Sequence, residues 1–244
     1  EDDLAEWFQV RRDNPLVGLS GRANLLQALG KALQAQPERF GAPNARIGNL
    51  FDAFSKRASH GQIAATAVLD EVLRGFGSVW PDGAMLDGYP LGDVGTHPAI
   101  HARDASSGLV PFHKLSQWLT YSLVEPLEHA GIEVTGLNAL TGLPEYRNGG
   151  LFIDMGVLRP SSEELLKEPQ EVKSEAIVEW RALTVVLLDR IAERIRDRLN
   201  MNEMELPLAK VLEGGTWSAG RKIARQLRPG GPPPIRLRST GTVF

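Results

Sequence analysis

The sequence contains no cysteine among its 244 residues. Disulfide bonds, thiolate metal sites and cysteine nucleophiles are therefore excluded, and this composition favours a reducing, cytoplasmic setting. No apolar run is long enough to cross a bilayer, and no signal peptide is visible. The formal net charge is only −3, so we expect no broad attraction to nucleic acid or to an anionic membrane.

Metal-binding and nucleotide-binding signatures are also missing. His97 and His101 stand four residues apart, but Pro98 argues against one regular helix through both. No H-E-x-x-H pair, Walker A loop, Rossmann fingerprint or nucleophile elbow occurs. The sequence therefore predicts no metal site.

Apolar residues at helical spacing dominate the chain, as Leu25, Leu29 and Leu33 illustrate. Convincing strand patterns are absent beyond residues 132–134. We therefore predict a mainly α, multi-helical globular fold, with one domain over residues 1–244, a long loop at 81–111 and an extended tail at 229–244. The predicted helices span residues 21–35, 47–58, 62–76, 112–129, 173–199, 207–213 and 216–227.

One polar stripe follows the predicted helix at 112–129. If its leucines face the core, then Lys114, Gln117 and Tyr121 share a face beside Trp118, directly after His113. An ammonium, an amide and a phenol on one face can bind an anion and a polar ring substituent. The alternative is a solvated face with an extended lysine side chain.

A second polar segment runs from Leu140 to Leu158. Glu145 could serve as a base or an electrostatic stabiliser, and Arg147 could hold an anion in its fork. Tyr146 and Asn148 add polar groups, and Gly149-Gly150 would allow a ligand to approach the backbone. The alternative is a buried ion pair between Glu145 and Arg147. Asp154 follows at a helical distance and supplies a second carboxyl group.

Two further places carry weaker signals. Asp93 and His97 belong to the long loop and could form part of a pocket rim. Gly214-Gly215-Thr216 predicts a helix that starts at Thr216, where free N–H groups could hold a phosphate.

Long motifs stand in collinear order along nearly the whole chain: NPLVGLSGRANLL, GDVGTHP, GLVPFHKLSQWLTYSLVEPL, LTGLPEYRNGGLFIDMGVL, SEAIVEWRALTVVLLDRI, LEGGTWSAGRKIAR and the closing GTVF. By these motifs the chain resembles the uracil catabolism protein 4 family of fungi and bacteria. Members of this family carry a further N-terminal region with a His/Arg/Trp-rich motif, which we expect this chain to lack. Two departures stand out, the missing aromatic after Val94 and Thr240 in place of an expected Asp.

A more distant resemblance links PFHKLSQWL, LTGLPEYRNGGLFIDMGVL and VEWRALTV to the queuosine salvage family. That family implies a helical N-glycosidase, related in fold to DNA glycosylases, that acts on a nucleoside 5′-monophosphate. Its catalytic acidic residue corresponds to Glu145 here, and its site-lining lysine corresponds to Lys114. The match replaces an Asp by the longer Glu.

Together these resemblances imply hydrolysis of ribosylurea, or of its 5′-phosphate, with release of urea and without a cofactor. Glu145 would stabilise the oxocarbenium-like ribose and accept a proton from water. The proton donor would be Tyr146, Lys114 or Asp154. Arg147, Arg221 and Thr216 would hold a phosphate. The expected partner is therefore a small nucleoside-like molecule, not a nucleic acid or a membrane, and homo-oligomer formation is left open.

The alternative from another functional class is a non-catalytic subunit that binds a nucleotide or assembles the enzymes of the same pathway.

Overall fold

The computed structural model describes residues 1–80 and 84–238. It confirms the mainly α fold, and the relation to DNA glycosylases stays a prediction. The described residues fall into two compact units, one of residues 1–94 and 122–135 and the other of residues 95–121 and 136–238. Among these residues, no helix combines the length and the apolar character needed to cross a membrane.

The helices are numbered along the chain. They are α1 Asp2–Trp7, α2 Leu19–Gln34, α3 Pro37–Phe40, α4 Leu50–Arg57, α5 Ala65–Phe76, α6 Lys114–His129, α7 Tyr146–Asp154, α8 Glu164–Lys167, α9 Glu175–Leu199, α10 Leu208–Lys210 and α11 Ser218–Leu227. The short strands are β1 Gln62–Ala64, β2 Met85–Leu86, β3 Tyr89–Pro90, β4 Val94–Thr96, β5 Leu109–Pro111 and β6 Glu133–Thr135.

In the first unit, the helix predicted at 62–76 is wrong for its first three residues. Residues Gln62–Ala64 instead form β1, which pairs in parallel with β6 and places Ile63 opposite Val134. Both of these side chains are buried. Tertiary pairing thus overrides the helical pattern for three residues, and α5 starts only after them.

The predicted helix at 21–35 is present as α2, but it begins differently. Gly18 at φ 72° precedes it, and the Ser20 hydroxyl donates to the Glu1 carboxylate. Leu26 is 52% exposed, whereas Ala32 is buried. The apolar stripe of α2 is therefore only partly covered within this unit.

The second unit is built around α9. The buried side chain of Leu188 joins a core formed with Leu143, Phe152 and Leu212. Helix α7 packs closely on α9, because a Cβ at Gly149 would lie 2.6 Å from Thr184 Oγ1. The predicted tail is packed onto the unit, since Ile235 is buried and Leu237 forms a bridge with Gln170. Its residues 239–244 lie outside the described ones, as do residues 81–83 of the predicted loop.

Candidate functional site

Glu145 is the N-terminal cap of α7. Its backbone is extended, and its carboxylate accepts the backbone N–H groups of Arg147 at 2.9 Å and of Asn148 at 3.4 Å. These contacts satisfy N–H groups that have no partner inside the helix, and the negative charge is favourable at this end of the helix dipole. Local helix formation therefore fixes the carboxylate at the start of α7.

The same carboxylate is 12% exposed and also accepts a hydrogen bond from Arg147 Nη1 at 3.3 Å. Burial raises the pKa of Glu145 above its ordinary value, while the backbone N–H of Arg147 and the charges of Arg147 and Lys114 oppose the rise. The predicted ion pair between Glu145 and Arg147 is thus present. The structure also brings Lys114 within electrostatic reach of Glu145.

The polar stripe of α6 lies on the buried side of the helix. Lys114 is 7% exposed and Gln117 is 5% exposed, so the alternative of a solvated face is wrong. Buried Ser116 and Thr120 extend this face. Of the leucines predicted to face the core, those at 115, 119 and 123 are only half-buried, whereas Leu127 is buried. Polar side chains here are buried because they have partners, which a simple apolar count cannot detect.

Gln117 positions the turn that precedes Glu145. Its amide oxygen accepts the Thr141 backbone N–H at 2.8 Å, and its Nε2 donates to Thr141 Oγ1 at 2.6 Å and to the Phe112 carbonyl at 3.1 Å. These bonds occupy its polar atoms. Gln117 was predicted to bind substrate, and in the structure it is a scaffold residue.

Asn148 and Thr216 form a second buried link. The Thr216 hydroxyl donates to Asn148 Oδ1 at 3.0 Å, and Asn148 Nδ2 donates to the Leu143 carbonyl at 3.2 Å. Both side chains are 3% exposed. They join α7 to the turn before α11, so neither is placed to meet a ligand directly.

Thr216 is not the first residue of a helix, which corrects the sequence prediction. It lies within the π-helical segment Val211–Trp217, which connects α10 to α11 without a break. Its backbone is therefore inside a helical run and does not offer the free N–H groups of a helix start. Single π-helical turns of this kind occur frequently at functional sites.

The glycine pair after Asn148 serves helix packing. A Cβ at Gly149 would lie 2.8 Å from Trp180 Nε1, and a Cβ at Gly150 would lie 2.9 Å from Pro234 Cδ. On the neighbouring helix, a Cβ at Gly220 would overlap the Arg147 carbonyl oxygen. These glycines let α7, α9 and α11 approach one another, and the expectation that Gly149-Gly150 admits a ligand is not met.

Aromatic rings and guanidinium groups meet beside Glu145. The Trp118 and Trp217 rings pack edge to face at 5.5 Å, and Trp118 is 44% exposed. Arg147 Cζ lies 4.6 Å from the Tyr146 ring and 5.7 Å from the Trp217 ring. Arg221 Cζ lies 4.7 Å from the centroid of the Trp217 ring. These contacts join five side chains into one cluster, formed by Trp118, Tyr146, Arg147, Trp217 and Arg221.

Trp217 is the residue of this cluster that sequence reasoning missed. It stands four residues before Arg221, a spacing that places both on one helix face. That spacing could have identified the pair, had the helix been recognised as continuous through Thr216.

Asp154 has a different environment. Its carboxylate oxygens accept hydrogen bonds from Arg228 Nη1 at 2.7 Å and Nη2 at 2.6 Å, and its side chain is 4% exposed. Both oxygens therefore act as acceptors in an ion pair. Asp154 lines the same narrow crevice as Tyr146 and Arg221, whose volume of about 10 Å³ is about enough for one water molecule.

The remaining predicted site residues are Asp93, His97 and His113. His97 Nδ1 accepts the Ala99 backbone N–H at 3.2 Å, and its Nε2 lies 3.9 Å from a Glu175 carboxylate oxygen. His113 precedes α6 with a positive φ of 48°. Asp93 belongs to the first unit, whereas the cluster around Trp217 belongs to the second. No group of three or more potential metal ligands occurs within residues 1–80 and 84–238.

Comparison with known proteins identifies the family. A model of a family described as protein of unknown function (DUF1688) matches residues 1–244. The chain belongs to this family. It is similar to protein urg3 of Schizosaccharomyces pombe, with 41% identity over 246 residues that cover 100% of this chain and 58% of that protein. It is also similar to uracil catabolism protein 4 of Lachancea kluyveri, with 39% identity over 269 residues that cover 100% of this chain and 61% of that protein.

These relatives confirm the resemblance inferred from the sequence motifs. The chain spans about three fifths of the length of both curated relatives. The activity of those longer proteins therefore bears on this chain only through a proposal.

Proposed function

We propose that this member of the DUF1688 family acts in uracil catabolism as an N-glycosidic hydrolase that releases urea from ribosylurea or its 5′-phosphate. The supporting name is that of the Lachancea kluyveri relative, uracil catabolism protein 4. The observation that carries the chemistry is the buried Glu145 carboxylate, held at a helix start beside Lys114 and Arg147.

Hydrolysis breaks the bond between ribose C1′ and a urea nitrogen, and it forms a bond between C1′ and a water oxygen. The sugar gains oxocarbenium character as the nitrogen departs, which a nearby carboxylate stabilises. Glu145 then accepts a proton from the attacking water, and burial, which raises the pKa of its carboxyl group, favours that acceptance.

The leaving nitrogen needs a proton. Burial raises the pKa of the Tyr146 phenol, which keeps it protonated and able to donate. Lys114 is the second candidate, since it is buried and within electrostatic reach of Glu145. Asp154 is dropped from this role, because both of its oxygens accept hydrogen bonds from Arg228.

The test is incubation of the purified protein with ribosylurea and separately with its 5′-phosphate, followed by assay of urea and of the sugar product. We expect equal amounts of urea and sugar from at least one substrate, and loss of both products in Glu145→Gln. Absence of product from both substrates would contradict the proposal.

The second candidate is a non-catalytic subunit that binds a nucleotide-like ligand in the same pathway. The observation favouring it is that Glu145 already has three hydrogen bonds within the protein, as a helix cap and as a partner of Arg147. Under this function, ribosylurea binds without turnover, and Glu145→Gln alters stability or affinity alone. Calorimetry with the wild-type protein, alongside the urea assay, separates the two candidates.

A further inference from the structure

A basic groove lies along the outer face of α11. It is open to solvent, has a volume of about 470 Å³, and is lined by Ser218, Arg221, Lys222, Arg225 and Gln226. Within the described part of the chain, no carboxylate lies at ion-pair distance from the three cations of this groove. Arg228 on the same segment is paired with Asp154. Among residues 1–80 and 84–238, the positive charge of the groove is therefore not neutralised by a nearby carboxylate.

Trp217 connects this groove to Glu145. Its ring lies 4.7 Å from Arg221 Cζ and 5.7 Å from Arg147 Cζ, and Arg147 in turn contacts the Glu145 carboxylate. Two guanidinium groups repel each other, but the electron-rich face of an indole attracts both. Since Glu145 pairs with only one of them, the cluster keeps a net positive charge on the side of Arg221.

The indole N–H of Trp217 is a second sign of an incomplete site. Its nitrogen is buried and has no hydrogen-bond acceptor among the described residues. A buried donor without an acceptor is unfavourable, and such groups call for an explanation in terms of a ligand, an ion or a water. An oxygen-rich anion near Trp217 would supply the acceptor.

We infer that the α11 groove binds a phosphate monoester, with Arg221 as its main ligand, Lys222 and Arg225 adding charge, and Trp217 as a positioning residue. A phosphate dianion suits several cations and the planar fork of arginine better than a single carboxylate does. For the identity of the ligand, this inference rests on the proposed function: ribosylurea would be taken as its 5′-phosphate, with the sugar toward Glu145.

The first test is calorimetric titration of the purified protein with ribose 5-phosphate, inorganic phosphate and ribose at low ionic strength. Ribose 5-phosphate should bind and ribose should not. Arg221→Gln and Arg225→Gln should each weaken binding by about tenfold or more, the usual loss for a charged hydrogen bond. Arg190→Gln is the matched control, because it removes one positive charge from an exposed position on α9.

Equal weakening by the Arg190 control would show a general charge effect and would overturn the inference. Absence of ribose 5-phosphate binding to the wild-type protein would overturn it as well.

The second test separates a positioning role from a structural one. Trp217→Leu should weaken ribose 5-phosphate binding, and Trp217→Phe should restore part of it, since a phenyl ring keeps the cation–π contacts but lacks the indole N–H. In the urea assay, Trp217→Leu should raise KM for the phosphorylated substrate more than it lowers kcat. If Phe and Leu variants lose affinity equally while both stay folded by thermal unfolding, Trp217 does not position the arginines.

The two proposals fail in distinguishable ways. Ribose 5-phosphate binding that depends on Arg221, without urea release, supports the groove and contradicts the hydrolase. Urea release with equal KM for ribosylurea and its 5′-phosphate, unchanged in Arg221→Gln, supports the hydrolase and contradicts the groove.

Discussion

The two ends of α7 each hold a buried carboxylate, and the two differ in how their charge is compensated. Asp154 at the last residue receives a bidentate pair of hydrogen bonds from Arg228. Glu145 at the cap receives two backbone N–H groups and one contact of 3.3 Å from Arg147. Burial dominates at Glu145 and raises its pKa. The strong pair is suited to holding the structure together, and the weaker one leaves a carboxylate that can take a proton.

The largest expected effect is that of Glu145→Gln on turnover, which tests whether this carboxylate takes a proton. Gln keeps a side-chain oxygen near the start of α7 but cannot accept a proton, so turnover should fall by about 10²- to 10³-fold while the protein stays folded. The measurement is the rate of urea release, with circular dichroism as a check of fold. Retention of the full rate would mean that Glu145 is only a helix cap.

Asp154→Asn should show the opposite pattern. It removes the charge that pairs with Arg228 and keeps the shape, so the free energy of unfolding should fall by about 2–3 kcal/mol. Activity per folded molecule should remain close to that of the wild-type protein. Urea unfolding and the urea-release assay measure the two quantities. A loss of activity without a loss of stability would mean that Asp154 takes part in catalysis.

Gly149→Ala tests the packing that holds the cap in place. The added methyl would lie 2.6 Å from Thr184 Oγ1 and 2.8 Å from Trp180 Nε1, so α7 must shift away from α9 at a cost of about 1–3 kcal/mol. Gly30→Ala in α2 is the control, since a Cβ there meets no atom within 4 Å. It should be neutral or stabilising by up to about 1 kcal/mol. Equal effects of the two substitutions in thermal unfolding would contradict the packing argument.

Lys114→Met should shift the pH dependence of activity. The Lys114 charge lowers the pKa of Glu145 against the effect of burial, so its removal should raise that pKa further. A base must be deprotonated to act, and the acid limb of the pH–rate profile should therefore move to higher pH. Lys31→Met, at an exposed position of α2, should leave the profile unchanged. An acid limb that does not move would place Lys114 outside the electrostatic environment of Glu145.

The smallest expected effect is on stability as a function of pH. The folded pKa of Glu145 lies above its ordinary value, so the folded state holds a proton that the unfolded state has already lost. Stability from this group is present below the ordinary pKa and is lost as the pH rises through the folded pKa. The Glu145→Gln variant lacks this loss, and its stability relative to the wild-type protein should therefore increase with pH in urea unfolding. A constant difference would show that burial does not control this carboxyl group.

Prediction from sequence succeeded where a pattern is local. The long helix α9 and the helix α6 follow from apolar spacing, and both lie within two residues of their predicted starts. The ion pair between Glu145 and Arg147 was one of two interpretations that the sequence left open, because the two residues are near neighbours in the chain. The start of α5 and the role of Gly149 could not be predicted, since they depend on contacts with β6 and α9, which are distant in sequence.

The site shows the same division. Motif resemblance predicts that Glu145 and Lys114 belong to one site, and in the structure the charge of Lys114 lowers the pKa of Glu145. Gln117, Asn148 and Thr216 were expected to face a ligand, and the structure uses their polar atoms for internal hydrogen bonds. Sequence identifies a polar side chain, but it does not say which neighbour satisfies it.

The amino-acid sequence by itself determined the helical class and the family, because periodicity and motifs are local properties of the chain. Only the tertiary structure decided that Asp154 binds Arg228, that Thr216 lies inside a continuous helical run, and that Trp217 lies near two guanidinium groups. The physical reason is that a buried charge or donor takes its partner from whatever folding brings near, and that partner is often far away in sequence.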